Sequence, residues 1–464
     1  MIGFIAAFAL GTSAAFAQGT PAPAGSPVPS PAATAGKPGA PTPAPSPAAS
    51  PAPAATTAPK AVQFNGVIDA IYNKTLSSGG LQFTGTPPAS ALSNFAFGPS
   101  NARWFDYSGN NLNLTDLNAS ATLNWHNWGG RILMNFGPQA NISYTYPSQF
   151  NSIDLSQVYL NYTYGKFTAQ GGKYATLAGY ESSESVNDTT VSRGILFWYQ
   201  PATHLGGRLT YAPNSKISLI AGINDGWNSW INTAGAMTAE YGISLNPNQT
   251  FSLAAQGYTG YAQIFNYNGL RPGTANAQFP SGLPGGPPTT AQGQKRLIDL
   301  VGTVHATKAL TLVANYDSGS QSCTTPSGPT TIPDCTSTNW GGFAAPGTGS
   351  PVGRSVALWS GLAVYGIYQI NPNLVGTVRY EGFHDANGFN TGYRQLWHEG
   401  TVALSYSLTP QVTLRTEYRH DVSDQPIFAV PANVVTTSGG TYAIGNGGVD
   451  RGNSTFEFEA LAHF

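Results

Sequence analysis

From Val62 onward, apolar and polar residues alternate in runs of roughly ten, separated by turn residues. A period of two places successive side chains on opposite faces of a strand, so each run reads as a strand with one greasy and one wet face. The run at 115–127 shows it plainly: Leu117, Ala119, Ala121, Leu123 and Trp125 alternate with Asn118, Ser120, Thr122, Asn124 and His126. The last eleven residues do the same. Phe456, Phe458, Ala460, Ala462 and Phe464 share one face; Thr455, Glu457, Glu459 and His463 share the other. Chain ends fray into water unless something holds them, so a strand stopping on a bare Phe needs an apolar solvent on one side. A barrel wall between lipid and water supplies both environments.

Sixteen such runs follow one another, at 62–73, 115–127, 130–137, 153–164, 166–175, 204–212, 216–225, 235–246, 249–261, 295–306, 309–318, 355–371, 374–384, 394–408, 411–421 and 454–464. Tight turns at Asn127 to Gly130, Gly165, Pro213-Asn214, Pro247-Asn248, Thr307-Lys308, Pro372-Asn373 and Thr409-Pro410 alternate with eight longer connections. Pro fixes φ and Asn tolerates the left-handed region, which suits both to turns. The pattern predicts an all-β fold: a transmembrane antiparallel β-barrel of about sixteen strands with short periplasmic turns and long extracellular loops.

The cost of burying charge in lipid assigns the faces. An Arg facing the bilayer midplane costs about 2–4 kcal/mol, so charged residues should face the lumen. Arg415, Glu417 and Arg419 fall opposite Leu414 and Tyr418; Arg379 and Glu381 fall opposite Val378 and Tyr380; Asp299 and His305 oppose Ile298, Leu300 and Val304. Trp125, Tyr164, Tyr211 and Tyr406 sit near turns, where an interfacial aromatic girdle is expected.

Composition agrees. Only 9% of residues are charged and the net charge is −1, against about 25% charged in ordinary soluble chains. Past the N-terminus no stretch offers the roughly 20 apolar residues of a spanning helix. Nucleic-acid binders carry a basic surface, and this balance gives none. Residues 2–16 are apolar and lead into Ala15-Phe16-Ala17, a small-x-small pattern, so 1–17 read as a Sec signal peptide, although no Lys or Arg precedes the run. Residues 18–60 are almost wholly Pro, Ala, Ser, Thr and Gly, a composition expected to be disordered. At about 3.1 Å per residue, this periplasmic tether could reach on the order of 100 Å. The barrel domain is 61–464.

One stretch goes beyond alternation. Gly165-Lys166-Phe167 is followed by Gly179-Tyr180-Glu181, Ser192-Arg193, Pro201-Ala202-Thr203-His204-Leu205-Gly206-Gly207-Arg208 and Gly226-Trp227. This series resembles the OmpL-like β-barrel porin family of the porin-2 type, and the resemblance implies an outer-membrane channel. The ending on Phe464 is similar to the C-terminal signal that the barrel-assembly machinery reads. In sixteen-stranded porins the third long connection narrows the lumen. Here it holds Glu181, Glu184, Asp188 and Arg193. In one reading Glu181, Glu184 and Asp188 face Arg208, Arg379, Arg415 and Arg419 across the pore, and mixed charges give weak selectivity leaning to cations. In the other the acids pair locally, for example Glu181 with Arg193, and hold the loop's shape.

Cys323 and Cys335 are the only cysteines. An exported chain meets an oxidising compartment, so a disulfide in an exposed loop is expected. The seven histidines lack the spacing of a metal site, and no Gly-x-Ser-x-Gly elbow, phosphate loop or dinucleotide fingerprint occurs. The expectation is therefore a non-enzymatic porin without metal or cofactor, passing small hydrophilic solutes or ions through outer-membrane lipid. Outward Gly366 and Gly376 would permit the close packing of a homotrimer. The alternatives are a substrate-specific channel, for a carbohydrate for example, with Tyr159, Phe383 and Trp397 as a sliding surface, and a barrel whose loops act as an adhesin or receptor.

Overall fold

The alternating runs hydrogen-bond into one closed barrel of sixteen strands, each antiparallel to its neighbours. The computed structural model describes residues 62–76, 111–137, 140, 153–228, 237–263, 292–322, 356–386, 390, 394–424 and 449–464, with short pieces at 324–325, 328–331, 428–429, 434–436 and 442–444. The wall strands are β1 (Val62–Thr75), β2 (Asn111–Trp125), β3 (Trp128–Phe136), β4 (Ile153–Tyr164), β5 (Phe167–Ala175), β6 (Thr203–Asn214), β7 (Ile217–Asn224) and β8 (Thr238–Leu245). They continue as β9 (Phe251–Gln263), β10 (Gln292–His305), β11 (Leu310–Ser322), β12 (Val356–Asn371), β13 (Leu374–Asp385), β14 (Gln395–Thr409), β15 (Val412–Ser423) and β16 (Gly452–His463). The signal segment, the tether, Cys323 and Cys335 lie outside the described residues.

A strand whose two faces demand different solvents can bury neither in a sandwich, and closure removes the unpaired edges that would otherwise remain in lipid. The seam forms between β1 and β16, where Val67 pairs with His463 and Tyr72 with Phe458. Beyond that ladder, the Gly66 and Phe464 backbones exchange two hydrogen bonds, of 3.0 and 3.1 Å. The Phe464 ring lies so close over Gly66 that a Cβ there would fall 2.4 Å from it. Glycine is what allows the chain terminus to close flat against the first strand.

The faces follow the sequence reading. Phe64, Leu112, Leu160, Leu209, Leu362, Val402 and Phe458 are exposed on the outer surface. Trp125, Tyr164 and Tyr406 are exposed near the short-turn rim. Tyr211 instead stacks on Phe167, with ring centroids 4.7 Å apart, and Trp128 packs on Tyr162 at 4.8 Å. Inward residues differ along the barrel's length. Toward the short turns Gln63, Asn65 and Asn124 are exposed, whereas farther up nearly every inward side chain is buried. Something fills the upper lumen, and it is the connection between β5 and β6.

Candidate functional site

Residues 176–202 leave β5, fold into the barrel and return to β6. The stem is pinned where the Thr176 amide donates to the Ala202 carbonyl at 3.0 Å. The Asn228 side chain accepts the Ala202 and Thr203 amides. Gly179 turns with φ +91, and a Cβ there would meet the Gln200 side chain at 2.1 Å, so both the backbone and the space require glycine. A 3-10 turn (Ser185–Asn187) and one helical turn, α1 (Ile195–Trp198), are the loop's regular pieces.

Two kinds of contact hold the loop. On one side it is apolar: Ala178, Ile195 and Leu196 join Tyr258, Leu297, Val301, Val313, Trp359, Ala363, Phe383 and Trp397 in a buried cluster against β9–β14. On the other it is ionic. Glu184 makes a two-pronged pair with Arg131 of β3, at 2.9 and 2.7 Å. Ser185 donates its amide to Asp116 of β2 and accepts from Arg415 of β15. The Val191 and Ser192 amides donate to Glu417, and the Ile195 amide to Glu381. A loop has no partner strand for its backbone N–H groups, and burying them unpaired would be costly. Wall carboxylates take the place of a partner strand.

The residues expected at a constriction take partners that the sequence left open. Glu181 pairs with Arg379 at 2.7 Å and also accepts the Gly194 amide. Arg379 is fully enclosed, bonding also to Glu399, Thr190 and Ser192. Asp188 pairs with Arg193 within the loop, at 3.0 Å. Burial pushes the Asp188 carboxyl up to about 7, against the opposing pull of Arg193. Arg415 pairs with Glu459, Arg419 with Asp421, and Arg208 with Glu240. Arg419 also donates to the Arg193 carbonyl. Phe383 and Trp397 are buried beneath the loop, so of the three lumen aromatics only Tyr159 is half-exposed.

The motif residues behave as anchors. Ser192 and Arg193 reach Glu417 and Asp188. His204 stacks on Tyr258 at 4.5 Å while its Nδ1 meets the Gly226 carbonyl at 2.9 Å. A Cβ on Gly206 would fall 2.2 Å from the Ile223 carbonyl.

Arg131 was not among the expected site residues, although the cost of an arginine in lipid also applies to it. Its side chain is 24% exposed and that of Glu184 10%, whereas the other arginines of the loop and its wall contacts are at most 5% exposed. The loop's contacts cover β1–β3 and β9–β16, but touch β4–β8 only near its stem. Tyr159 and Gln170, half-exposed, face the sector left uncovered. Arg131 and Glu184 are therefore the most exposed ion pair between the loop and the wall. Acid dominates throughout: among the described residues 16 carboxyl side chains and 6 Lys or Arg side chains are buried.

Solved structures with a similar overall form include OmpT of Vibrio cholerae in its trimer form (TM-score 0.49, 12% identity, 87% of this chain and 99% of that one). They also include OprB of Pseudomonas putida (0.48, 9%, 87% and 94%) and an anion-selective porin from Comamonas acidovorans (0.47, 7%, 87% and 99%). No curated protein matches the chain in sequence. The family model described as putative beta-barrel porin-2, OmpL-like, matches residues 62–464, and the chain belongs to that family of outer-membrane porins.

Proposed function

We propose that this outer-membrane porin passes small hydrophilic solutes and ions by passive diffusion, with a preference for cations, and that the path runs between the loop's Glu184 edge and the β3–β6 wall. The observation that carries this reading is the Arg131–Glu184 pair, the most exposed ion pair between loop and wall. The excess of buried carboxyls supports the sign of the preference, since rings of acid favour cations. Lipid surrounds the outer face, and the barrel-assembly machinery would receive the chain after Sec export through the Phe464 ending. A homotrimer fits outward Gly366 and Gly376. Catalysis is not part of this reading: His384 and His420 are exposed on the outer face, while their neighbours Asp385 and Asp421 point inward, so neither pair forms a dyad.

Reversal potentials across a salt gradient in planar bilayers test the path. Glu184→Gln leaves Arg131 uncompensated and should shift the preference toward anions. Arg131→Gln leaves Glu184 uncompensated and should shift it toward cations. Unchanged potentials in both variants would place the path elsewhere.

A further inference from the structure

We propose that the upper lumen holds a binding site for a small carboxylate, built from Lys295 and Trp227. Every other Lys or Arg described on the inner wall or in the loop has a carboxylate partner: Arg131 with Glu184, Lys173 with Asp154, Arg193 with Asp188, Arg208 with Glu240, Arg379 with Glu181 and Glu399, Arg415 with Glu459 and Arg419 with Asp421. Lys295 is the exception. It points inward from β10, opposite Gln321 of β11 and Gly260 of β9, one step toward the long-loop rim from Leu297. Its ammonium lies 3.8 Å from the Trp227 ring centroid and 5.9 Å from that of Trp359, and no carboxylate among the described residues reaches it.

A cation over indole faces is attracted by the ring quadrupole, but an ammonium has three N–H donors and a ring face satisfies at most one direction. The Trp227 indole Nε1 is a second unused donor: it is buried and meets no acceptor among the described residues. The 16 buried carboxyls among the described residues are ample acid to neutralise one more amine, yet none of these is placed here. Two neighbouring donors, one charged and one neutral, are left for an acceptor, and a carboxylate has two oxygens to offer. The aromatic surfaces of Trp227 and Trp359 favour a solute whose remainder is apolar. Lys295 is half-exposed, so the site can be reached from the upper lumen. Such a solute would pause here before meeting the acidic narrowing below, which makes the site a point of retention within a channel that favours cations. This does not depend on where the ion path runs.

Saturation-transfer NMR on the full-length protein in detergent micelles, with benzoate as probe and benzamide as its neutral counterpart, tests the site. Benzoate should bind saturably and benzamide should not. Lys295→Met should weaken benzoate binding by ~10-fold or more, as loss of a charged hydrogen-bond partner does. Trp227→Phe, which keeps the ring and removes the N–H, should weaken it by a smaller factor and gives an independent answer if Lys295→Met fails to fold. Equal binding of benzoate and benzamide, benzoate binding unaltered in either variant, or no binding by the wild type would overturn the proposal.

Discussion

Arg379 has no access to water, so its charge is tolerated only through its neighbours: Glu399 at 2.6 Å, Glu181 at 2.7 Å and the Ser192 carbonyl at 2.7 Å. Two of those three belong to the loop, so one side chain fastens loop to wall. Removing one member of a buried pair costs about 3–5 kcal/mol, because the other charge is left uncompensated. Arg379→Met is therefore expected to release the loop, giving larger and noisier single-channel steps in a barrel that still resists SDS at room temperature. Steps of wild-type size would show that the apolar cluster alone holds the loop. Glu181→Gln should act in the same direction and change conductance more than selectivity, since Glu181 is engaged by Arg379 and Gly194 and has little water around it. At the seam, Gly66→Val would displace the Phe464 ring and should lower the yield of inserted protein; normal yield, measured by heat-modifiable mobility on gels, would show that the ring moves aside freely. At this scale the sequence revealed which residues point inward, because lipid penalises any charge that does not. It did not reveal who pairs with whom. Glu181 and Arg379 are 198 positions apart, and only the loop's course across the lumen makes them neighbours.

Among the elements, the 176–202 loop is sensitive to a change in protonation. The Asp188 carboxyl titrates near 7 when the loop is docked, because burial outweighs the attraction of Arg193 and Arg415, and its ordinary value is 3.8. The docked state thus holds the proton more tightly than an exposed loop would. The docked state is favoured most below about pH 4, and that advantage is lost as pH rises through 7. Conductance should then rise between pH 5 and 8, and Asp188→Asn should hold it at the low-pH level throughout. A flat profile in the wild type, or a rise that persists in Asp188→Asn, would remove Asp188 from this role. Ser182 also donates its amide to Asp188, and Glu181 adds like charge nearby, so the transition is expected to be shallow. The loop's entry into the lumen is legible only from its place as the third long connection of a sixteen-stranded porin. Alternation carries no such information, because the segment has no period of its own.

For the molecule as a whole, strand number, order and inward face all follow from one physical demand: every strand must satisfy lipid and water at once. That demand is written residue by residue, as at Leu117 to Trp125, and needs no knowledge of long-range contacts. The filled upper lumen is a different matter. Phe383 and Trp397 look like any inward aromatics in the sequence, and only the arrival of Ile195 and Leu196 makes them part of a core. The groups that receive the loop come from both ends of the chain. Asp116 and Arg131 stand on β2 and β3, while Arg415 and Glu417 stand on β15, and the two sets become neighbours only once β1 has zipped to β16. Only then is the wall that carries both sets closed around the loop. The full set of docking contacts therefore requires a closed wall. A barrel with a gap at its seam would hold the loop's two sets of partners on a wall free to spread, so the same contacts that span the finished pore also record that the wall has been completed.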